Sequence, residues 1–315
     1  MHRMTRLALV AVAMAAACAC GRAVERDRPR VALVLKTLNS PFFIDLQKGA
    51  EAAAARLGVT LVVQAAEREM DVEKQMQIIE NLVQTGVAVL CVAPSGSREI
   101  VPALGKAQRA GIPVVVVDER IDEAAASEAG VRPATFVGSD NVAGGRLAGR
   151  HLVETTGGRA KVAVLEGIPG HESGDARLRG FREAIGVAPG VEVVASQTAN
   201  WERDQGFTVF QNMLQAHPEI DAVFACNDVM ALGAVEALGA AGRTRRVRVI
   251  GFDAVDDART AIAAGAMEAS VAQFPSEMGR LAVESAVKLI RGETVPREQP
   301  TRVALVTREN VDAPR

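Results

Sequence analysis

Apolar runs rich in β-branched residues alternate with longer stretches of helical periodicity along this chain. Three of the runs start at a glycine, at Gly58–Val63, Gly86–Leu90 and Gly111–Val117. Glycine often follows a helix because it adopts the left-handed conformation without strain. An apolar run without polar alternation is typical of a strand buried on both faces. The pattern therefore predicts a parallel sheet with helices on both faces.

The same alternation starts again after Gly138. Helical stretches such as Val142–Thr155 and Val229–Ala241 lie between the apolar runs. The strands predicted in this part are Lys161–Leu165, Glu192–Ala195, Ala222–Ala225, Val247–Gly251, Glu268–Ala272 and Val303–Val306. The predicted fold class is α/β, with two similar domains that each hold a parallel sheet flanked by helices. Their boundary is expected near residues 137–140, and the Ala-rich segment 122–130 is expected to be an exposed loop.

Residues 1–20 have the features of a secretory signal peptide. Arg3 and Arg6 precede a run of small apolar residues that is too short to span a membrane. Two outcomes stay open at its end, which are cleavage after Ala19 and lipid attachment at Cys20 or Cys18. Export to the periplasm or cell envelope is expected in both cases, either as a soluble protein or as a lipoprotein.

Charge and cysteine content narrow the function further. The net charge of −2 gives no reason to expect nucleic acid as a partner. The basic cluster Arg243–Arg248 has no aromatic residue within it and is expected to be a solvated loop. After residue 20 the cysteines are Cys91 and Cys226, at the ends of apolar runs. They are predicted to be buried thiols in different domains, because two cysteines make no disulfide framework.

Residues with binding chemistry collect where the predicted strands end. Ser40 is a candidate N-cap and Pro41 suits the first helical position, which puts Phe42 and Phe43 in the first turn of a helix. Ligands of open α/β sheets bind in the crevice beyond the carboxyl ends of the strands. The strand exits of both halves carry the further candidates Asp118, His171, Arg177, Trp201, Asn227, Asp253 and Gln273.

The side-chain types at these exits favour a sugar ligand. Phe and Trp offer flat apolar faces, whereas Asp, Asn, Gln and Arg form planar hydrogen bonds that are often bidentate. A sugar has apolar C–H faces and a rim of hydroxyl groups that both donate and accept. The sequence has no Gly-x-Ser-x-Gly, phosphate loop or His-Glu-x-x-His motif, and it indicates no metal or cofactor. A binding protein is therefore favoured over an enzyme.

Seven groups of residues, in order along the chain, resemble the periplasmic sugar-binding proteins of ABC importers, and most closely the ribose-binding family. They are Thr37–Phe43, Gly138–Asn141, Gly167–Gly170 with Arg177–Phe181, Ala216–Pro218 with Val223–Asp228, Met230–Ala234, Gly251–Asp253, and Val271–Gln273. The resemblance implies the type I periplasmic binding protein fold. It also implies domains of residues 30–139 plus 274–300 and residues 140–273 plus 301–315, joined by a three-segment hinge.

The resemblance gives each candidate a role. Aromatic rings that hold the sugar would be those of Phe42, Phe43 and Trp201. Its hydroxyl groups would be bound by Asp118, Arg177, Asn227, Asp253 and Gln273.

Two positions depart from the ribose binders. Ser40 stands where they have Asn, and Glu119 stands where they have Arg, with Arg120 as a candidate replacement for that Arg. His171 and Trp201 resemble the glucose and galactose binders instead. The expected ligand is therefore a monosaccharide in a wider sense, meaning a pentose, a hexose or a cyclic polyol such as inositol. Its identity is expected to be decided around Ser40, Glu119 and His171.

The resemblance also implies partners. Two domains would close on the sugar, and the closed form would dock on an ABC permease in the membrane. An alternative is a sensor module that presents the sugar to a chemoreceptor or a receptor kinase. A further alternative, the effector core of a LacI-type repressor, would need an N-terminal helix-turn-helix where this chain has a signal sequence.

Overall fold

The computed structural model describes residues 28–313, so the predicted signal peptide lies outside the described part. The strands are β1 (Arg30–Leu35), β2 (Thr60–Ala65), β3 (Val89–Val92), β4 (Val114–Val117), β5 (Thr135–Ser139), β6 (Arg159–Glu166), β7 (Gly190–Thr198), β8 (Ala222–Ala225), β9 (Arg248–Asp253), β10 (Ala269–Ala272), β11 (Glu298–Thr301) and β12 (Ala304–Thr307). The helices are α1 (Pro41–Leu57), α2 (Val72–Gln84), α3 (Val101–Arg109), α4 (Glu123–Glu128), α5 (Asn141–Thr155), α6 (Glu172–Ile185), α7 (Arg203–Ala216), α8 (Asp228–Ala240), α9 (Asp256–Ala264) and α10 (Pro275–Ile290). Within residues 28–313, none of the helices combines the length and the apolar character that crossing a membrane requires.

The strands form two six-stranded sheets. The first has the order β11-β5-β4-β3-β1-β2, and the second has the order β12-β10-β9-β8-β6-β7. The predicted α/β fold with two parallel sheets is confirmed, apart from one strand. That strand, β12, runs antiparallel to β10, although it was predicted within a parallel sheet. It is also the strand of the second sheet that follows directly on a strand of the first, with only Arg302 and Val303 between them.

Helices cover both faces of the first sheet, as the continuous apolar runs require. Leu33 and Leu35 of β1 pack with Met278 of α10 in one core, whereas Val34 packs with Ile79 of α2 in the core of the opposite face. Side chains of a strand alternate between faces, so a strand buried on both sides must be apolar at every position.

The chain passes between the two sheets at three places. It leaves the first sheet after Ser139, returns after Ala272, and leaves it again after Thr301. We call residues 28–139 with 275–301 the first lobe, and residues 140–274 with 302–313 the second lobe. The domain limits predicted from the sequence stay a prediction.

The segment predicted to be an exposed loop contains the helix α4. Asp122 starts it, because its Oδ1 accepts a hydrogen bond from the backbone N–H of Ala125 at 2.6 Å. The prediction was wrong because the Ala-rich sequence that follows has high intrinsic helix propensity, and a good N-cap was enough to fold one short helix there.

The two thiols are buried as predicted. Cys91 lies in β3 of the first sheet, and Cys226 lies directly after β8 of the second. Burial raises the pKa of each thiol to about 12, so neither is a thiolate at neutral pH.

Candidate functional site

A cavity lies between the lobes, at the carboxyl ends of both sheets. Nine of the ten residues predicted from the sequence line it, and the exception is His171. The lining residues are Lys36, Ser40, Phe42, Phe43, Glu69, Asp118, Ser173, Arg177, Trp201, Asn227, Asp253 and Gln273. Side chains that are far apart in sequence therefore meet where parallel strands end, as the strand-exit argument predicts.

Aromatic rings from both lobes form part of this lining. Phe42 and Phe43 lie in the first turn of α1, with ring centroids 5.1 Å apart and planes at 88°. Trp201 lies in the connection from β7 to α7, with its backbone at a φ of 67°. Its indole packs directly on Gly167, where a Cβ atom would come within 2.0 Å of Cζ2. Only glycine at that position leaves the ring where it is.

Ser40 stands at the N-cap of α1, but its side chain makes no capping hydrogen bond. Its hydroxyl therefore stays available to the cavity that it lines. The predicted position is right, whereas the predicted cap is not formed. The start of the helix is instead favoured by Pro41, which needs no N–H partner at the first helical position.

Arg177 is the main buried cation on the second-lobe side. Its Nε donates to Asn141 Oδ1 at 2.9 Å, and its Nη1 donates to the carbonyl oxygen of Cys226 at 2.7 Å. Its Nη1 also lies 3.7 Å from Asp253 Oδ1. A guanidinium stays charged when buried, so these partners both compensate it and fix its plane.

Three side chains complete this side. Asn227 caps α8 through its Oδ1, which accepts from the N–H of Met230 at 2.8 Å, and its amide faces the cavity. Gln273 donates to Asp253 Oδ1 at 2.7 Å, while its own Oε1 is buried and has no hydrogen-bond partner. A buried acceptor of this kind is costly unless a ligand satisfies it. Burial also raises the pKa of Asp253 to about 6.

Lys36 and Glu69 line the cavity, and the sequence reasoning missed both. Lys36 Nζ lies 3.7 Å from Glu69 Oε2 and 3.9 Å from Asp118 Oδ2. Burial alone would lower the pKa of Lys36, but the carboxylates of Glu119, Glu69 and Asp118 outweigh it and raise the pKa. The signal for Lys36 was present, since it directly follows the apolar run of β1. Glu69 comes four residues after β2, with no local signal that its loop turns toward the cavity.

Carboxyl groups on the first-lobe side are hard to ionise. Burial raises the pKa of Glu69 to about 7, and the nearby carboxyl groups of Asp118 and Asp253 add to the effect. Burial likewise raises the pKa of Asp118, against the opposing charge of Lys36. Hydroxyl groups of a ligand could replace the missing water around these groups.

Glu119 does not face the cavity and is fully buried. Its carboxylate accepts from Lys36 Nζ at 3.1 Å and from Ser97 Oγ at 3.2 Å in the first lobe. It also accepts from the N–H of Ser173 at 3.1 Å and from its Oγ at 2.6 Å, both across the cleft. Burial favours a neutral Glu119, but Lys36, His171 and the Ser173 hydrogen bonds outweigh it and lower its pKa.

Arg120 does not replace the arginine of the ribose binders. Its guanidinium makes two hydrogen bonds to Glu298, at 3.0 and 2.7 Å, and lies 3.9 Å above the ring of Phe136. These contacts hold it on the outside of the first sheet, away from the cavity lining. The cation that lines the cavity from the first lobe is Lys36, which directly follows β1.

His171 lies behind Trp201 rather than in the cavity lining. Its Nδ1 accepts from Trp201 Nε1 at 3.3 Å, which leaves its proton on Nε2. Nε2 then donates to the carbonyl oxygen of Ser95 in the first lobe, at 2.9 Å. Burial, with the charge of Lys36 nearby, lowers the pKa of His171 to about 4. A direct contact between His171 and a ligand stays a prediction.

Several cavity residues have a backbone that few side chains adopt. Asp118 has a φ of 64°, Trp201 of 67° and Asp253 of 110°. Positive φ is uncommon outside glycine, and such strain persists only where the surrounding structure holds it.

Among residues 28–313 no group of three or more His, Cys, Asp and Glu side chains is placed to hold a metal ion. The arrangement is suited to hydrogen bonding and stacking.

Known proteins with this sequence pattern bind small solutes. The family described as the periplasmic binding protein domain matches residues 31–294. The chain is similar to the ribose import binding protein of Escherichia coli K12, with 37% identity over 279 residues, or 89% of this chain and 90% of that protein. It is 36% identical to the D-allose-binding periplasmic protein of the same organism, over 87% of this chain and 89% of that one.

Solved structures show the same likeness in three dimensions. A periplasmic solute-binding protein of an ABC transporter from Actinobacillus succinogenes, solved with bound D-allose, is similar with a TM-score of 0.85. It shares 37% sequence identity, and the match covers 90% of this chain and 99% of that one. This chain belongs to the periplasmic binding protein family.

Proposed function

We propose that this protein captures a monosaccharide between its two lobes and delivers it to an ABC permease in the membrane. The observation that carries the proposal is the composition of the cavity. Phe42, Phe43 and Trp201 supply flat apolar faces from both lobes, and planar polar groups surround them. A ligand held from both lobes favours the closed form through its differential affinity for that form.

We further propose a hexose rather than a pentose as the preferred ligand. Lys36 and Glu69 add a donor and an acceptor to the ring-binding set implied by the ribose binders. An exocyclic hydroxymethyl group, which a hexopyranose has and a pentopyranose lacks, could use both. The relative that binds D-allose supports D-allose as the first sugar to test.

The relatives favour import over the alternatives. They are solute-binding proteins of transport systems, with names that refer to import or to the periplasm. A periplasmic location for this chain follows from that likeness.

Lipid attachment at Cys20 or Cys18 remains a proposal, and mass spectrometry of the exported protein would detect the added acyl groups.

Titration calorimetry tests the function directly. The panel is D-ribose, D-allose, D-glucose, D-galactose and myo-inositol, applied to the mature protein. We expect saturable binding of at least one of them, and loss of about 100-fold in affinity for Asp118→Asn, which replaces a buried carboxyl acceptor by an amide. The control Asp122→Asn alters a carboxylate of the same lobe that caps α4 outside the cavity. Absence of binding to the whole panel would refute the proposal.

Glu69→Ala separates hexose from pentose binding. We expect affinity for D-allose to fall about tenfold, because one hydrogen bond to a carboxyl group is lost. Affinity for D-ribose should change by less than about threefold, because no exocyclic group is present to lose that bond. Both affinities are measured by calorimetry with the same protein preparation. An equal loss for both sugars would show that Glu69 contacts the ring itself.

A further inference from the structure

The amino terminus of helix α6 contacts the opposite lobe. Its second residue, Ser173, directs both its backbone N–H and its hydroxyl at the carboxylate of Glu119. Helix N-termini carry partial positive charge and free N–H groups, so a carboxylate there is doubly favourable. Usually such a carboxylate comes from the same helix. Here it comes from the segment after β4, in the other lobe.

A third hydrogen bond crosses the cleft two residues earlier in the chain. His171 is the N-cap of α6, and its Nε2 donates to the carbonyl oxygen of Ser95. Ser173, His171 and Glu119 are all buried in this arrangement, with 3%, 4% and 0% of their surfaces exposed. Buried charge-assisted hydrogen bonds are stronger than exposed ones, because water does not compete for the same groups.

These contacts also fix the positions of two side chains that line the cavity. Glu119 holds Lys36 Nζ on the first-lobe side, and His171 holds the Trp201 indole on the second-lobe side. Neither Glu119 nor His171 lines the cavity. Both are therefore positioning residues, and each holds a cavity side chain of its own lobe while it also bonds to the other lobe.

We infer that Glu119, Ser173, His171 and Ser95 form a clasp that holds the lobes closed without any contribution from the sugar. The biological purpose of the clasp rests on the proposed sugar-capturing function, whereas its geometry does not. A contact that stabilises only the closed form raises the closed population before ligand arrives, and it raises the apparent affinity by the same factor. The sugar then meets a cleft in which Lys36 and Trp201 are already oriented.

Hydrogen exchange at one amide reports the clasp directly. An N–H in the first turn of a helix has no partner within the helix, so Ser173 is protected only through Glu119. We expect this amide to be protected from exchange in the sugar-free protein, and NMR measures its exchange rate. In Glu119→Gln the exchange should become at least about tenfold faster, because a charged acceptor is replaced by a neutral one.

Asp122→Asn is the matched control. It weakens the same kind of bond within the first lobe, where Asp122 caps α4 through the N–H of Ala125. Exchange should quicken at Ala125 and stay unchanged at Ser173. The clasp is overturned if Ser173 exchanges in the sugar-free wild type as fast as it does in Glu119→Gln.

A milder variant covers the case in which Glu119→Gln folds poorly. Ser173→Ala keeps the N–H and loses only the hydroxyl bond to Glu119. Small-angle scattering of the sugar-free protein should give a larger radius of gyration for this variant than for wild type. Equal radii would overturn the inference. A protein that binds no sugar but keeps Ser173 protected would refute the proposed function and leave the clasp intact.

Discussion

At the scale of single residues, the position of Trp201 shows how much of the site depends on neighbours. It is the only tryptophan in the chain. Its ring rests on Gly167 and Gly174, and its N–H is bonded to His171. A large aromatic residue in a left-handed backbone conformation needs such support. Intrinsic fluorescence of this protein therefore reports on the candidate site alone.

The buried His171 makes stability depend on pH. Its pKa is about 4 in the folded protein, against 6.5 as an ordinary value, because burial disfavours the charged ring. Between these values the unfolded chain binds a proton that the folded protein does not, so stability falls as the pH is lowered. The total effect is about 3 kcal/mol over that window.

Comparison with His171→Asn isolates this effect. Glu69 and Asp253 have raised pKa values, so their contribution to the stability of the folded protein decreases as the pH rises. This effect is opposite in direction to that of His171. Their contributions cancel in the difference between wild type and variant. Urea unfolding from pH 7.5 to pH 4 should show this difference shrinking toward low pH. His217→Asn, at an exposed position, serves as the control, and a pH-independent difference for His171→Asn would contradict the prediction.

At the scale of elements, close helix contacts depend on glycine. Helices α1 and α10 approach so closely that a Cβ atom at Gly279 would lie 2.0 Å from the carbonyl oxygen of Leu46. At Gly49 it would lie 1.9 Å from the carbonyl oxygen of Ser276. Backbone atoms cannot move aside as side chains can. The contact therefore fixes α10 on α1, directly beside Phe42 and Phe43.

Gly279→Ala should lower the free energy of unfolding by about 1–3 kcal/mol, because the helices must separate to admit the methyl group. Gly239→Ala provides the control in α8, where the nearest atom to an added Cβ is 4.0 Å away. That change should raise stability by about 0.5–1 kcal/mol, since glycine is the more flexible residue in the unfolded chain. Urea unfolding measures both. Changes of the same sign would show that the α1–α10 contact adapts.

The strand-exit rule explains which parts of the site could be predicted from sequence. Asp118, Asn227 and Asp253 follow apolar runs that are unmistakable strands, and parallel strands bring their carboxyl ends to one edge. The contacts of Glu119 could not be predicted in this way, although it is adjacent to Asp118. Its partners Lys36 and Ser173 are 83 and 54 residues away. Spacing along a chain cannot reveal which lobe a side chain will meet across a cleft.

At the scale of the whole molecule, each lobe is completed from the far end of the chain. The first sheet contains β11, and its core contains α10, although its first strand is β1. Met278, Ala282 and Val283 of α10 pack in the same core as Leu33 and Phe43. The first lobe is therefore not a unit that the first half of the sequence can build alone.

A chain that ends at Gln273 tests this dependence. It lacks α10 and β11, so Leu33 and Phe43 would be left exposed to water. We expect the first lobe of such a chain to show no cooperative thermal unfolding by circular dichroism and to bind a hydrophobic dye. The full-length mature chain is the reference. Cooperative unfolding of both lobes in the shortened chain would show that α10 is dispensable.

The order of the first sheet also affects how the protein is made. Synthesis releases β1 first, but α10 and β11 emerge only with residues 275–301, and β12 follows at 304–307. Neither lobe can therefore complete its core until almost the whole chain has left the ribosome. A polypeptide bound for secretion gains from this delay, because it stays unfolded for most of its synthesis. An unfolded chain can pass through a translocation pore and fold after it has crossed the membrane.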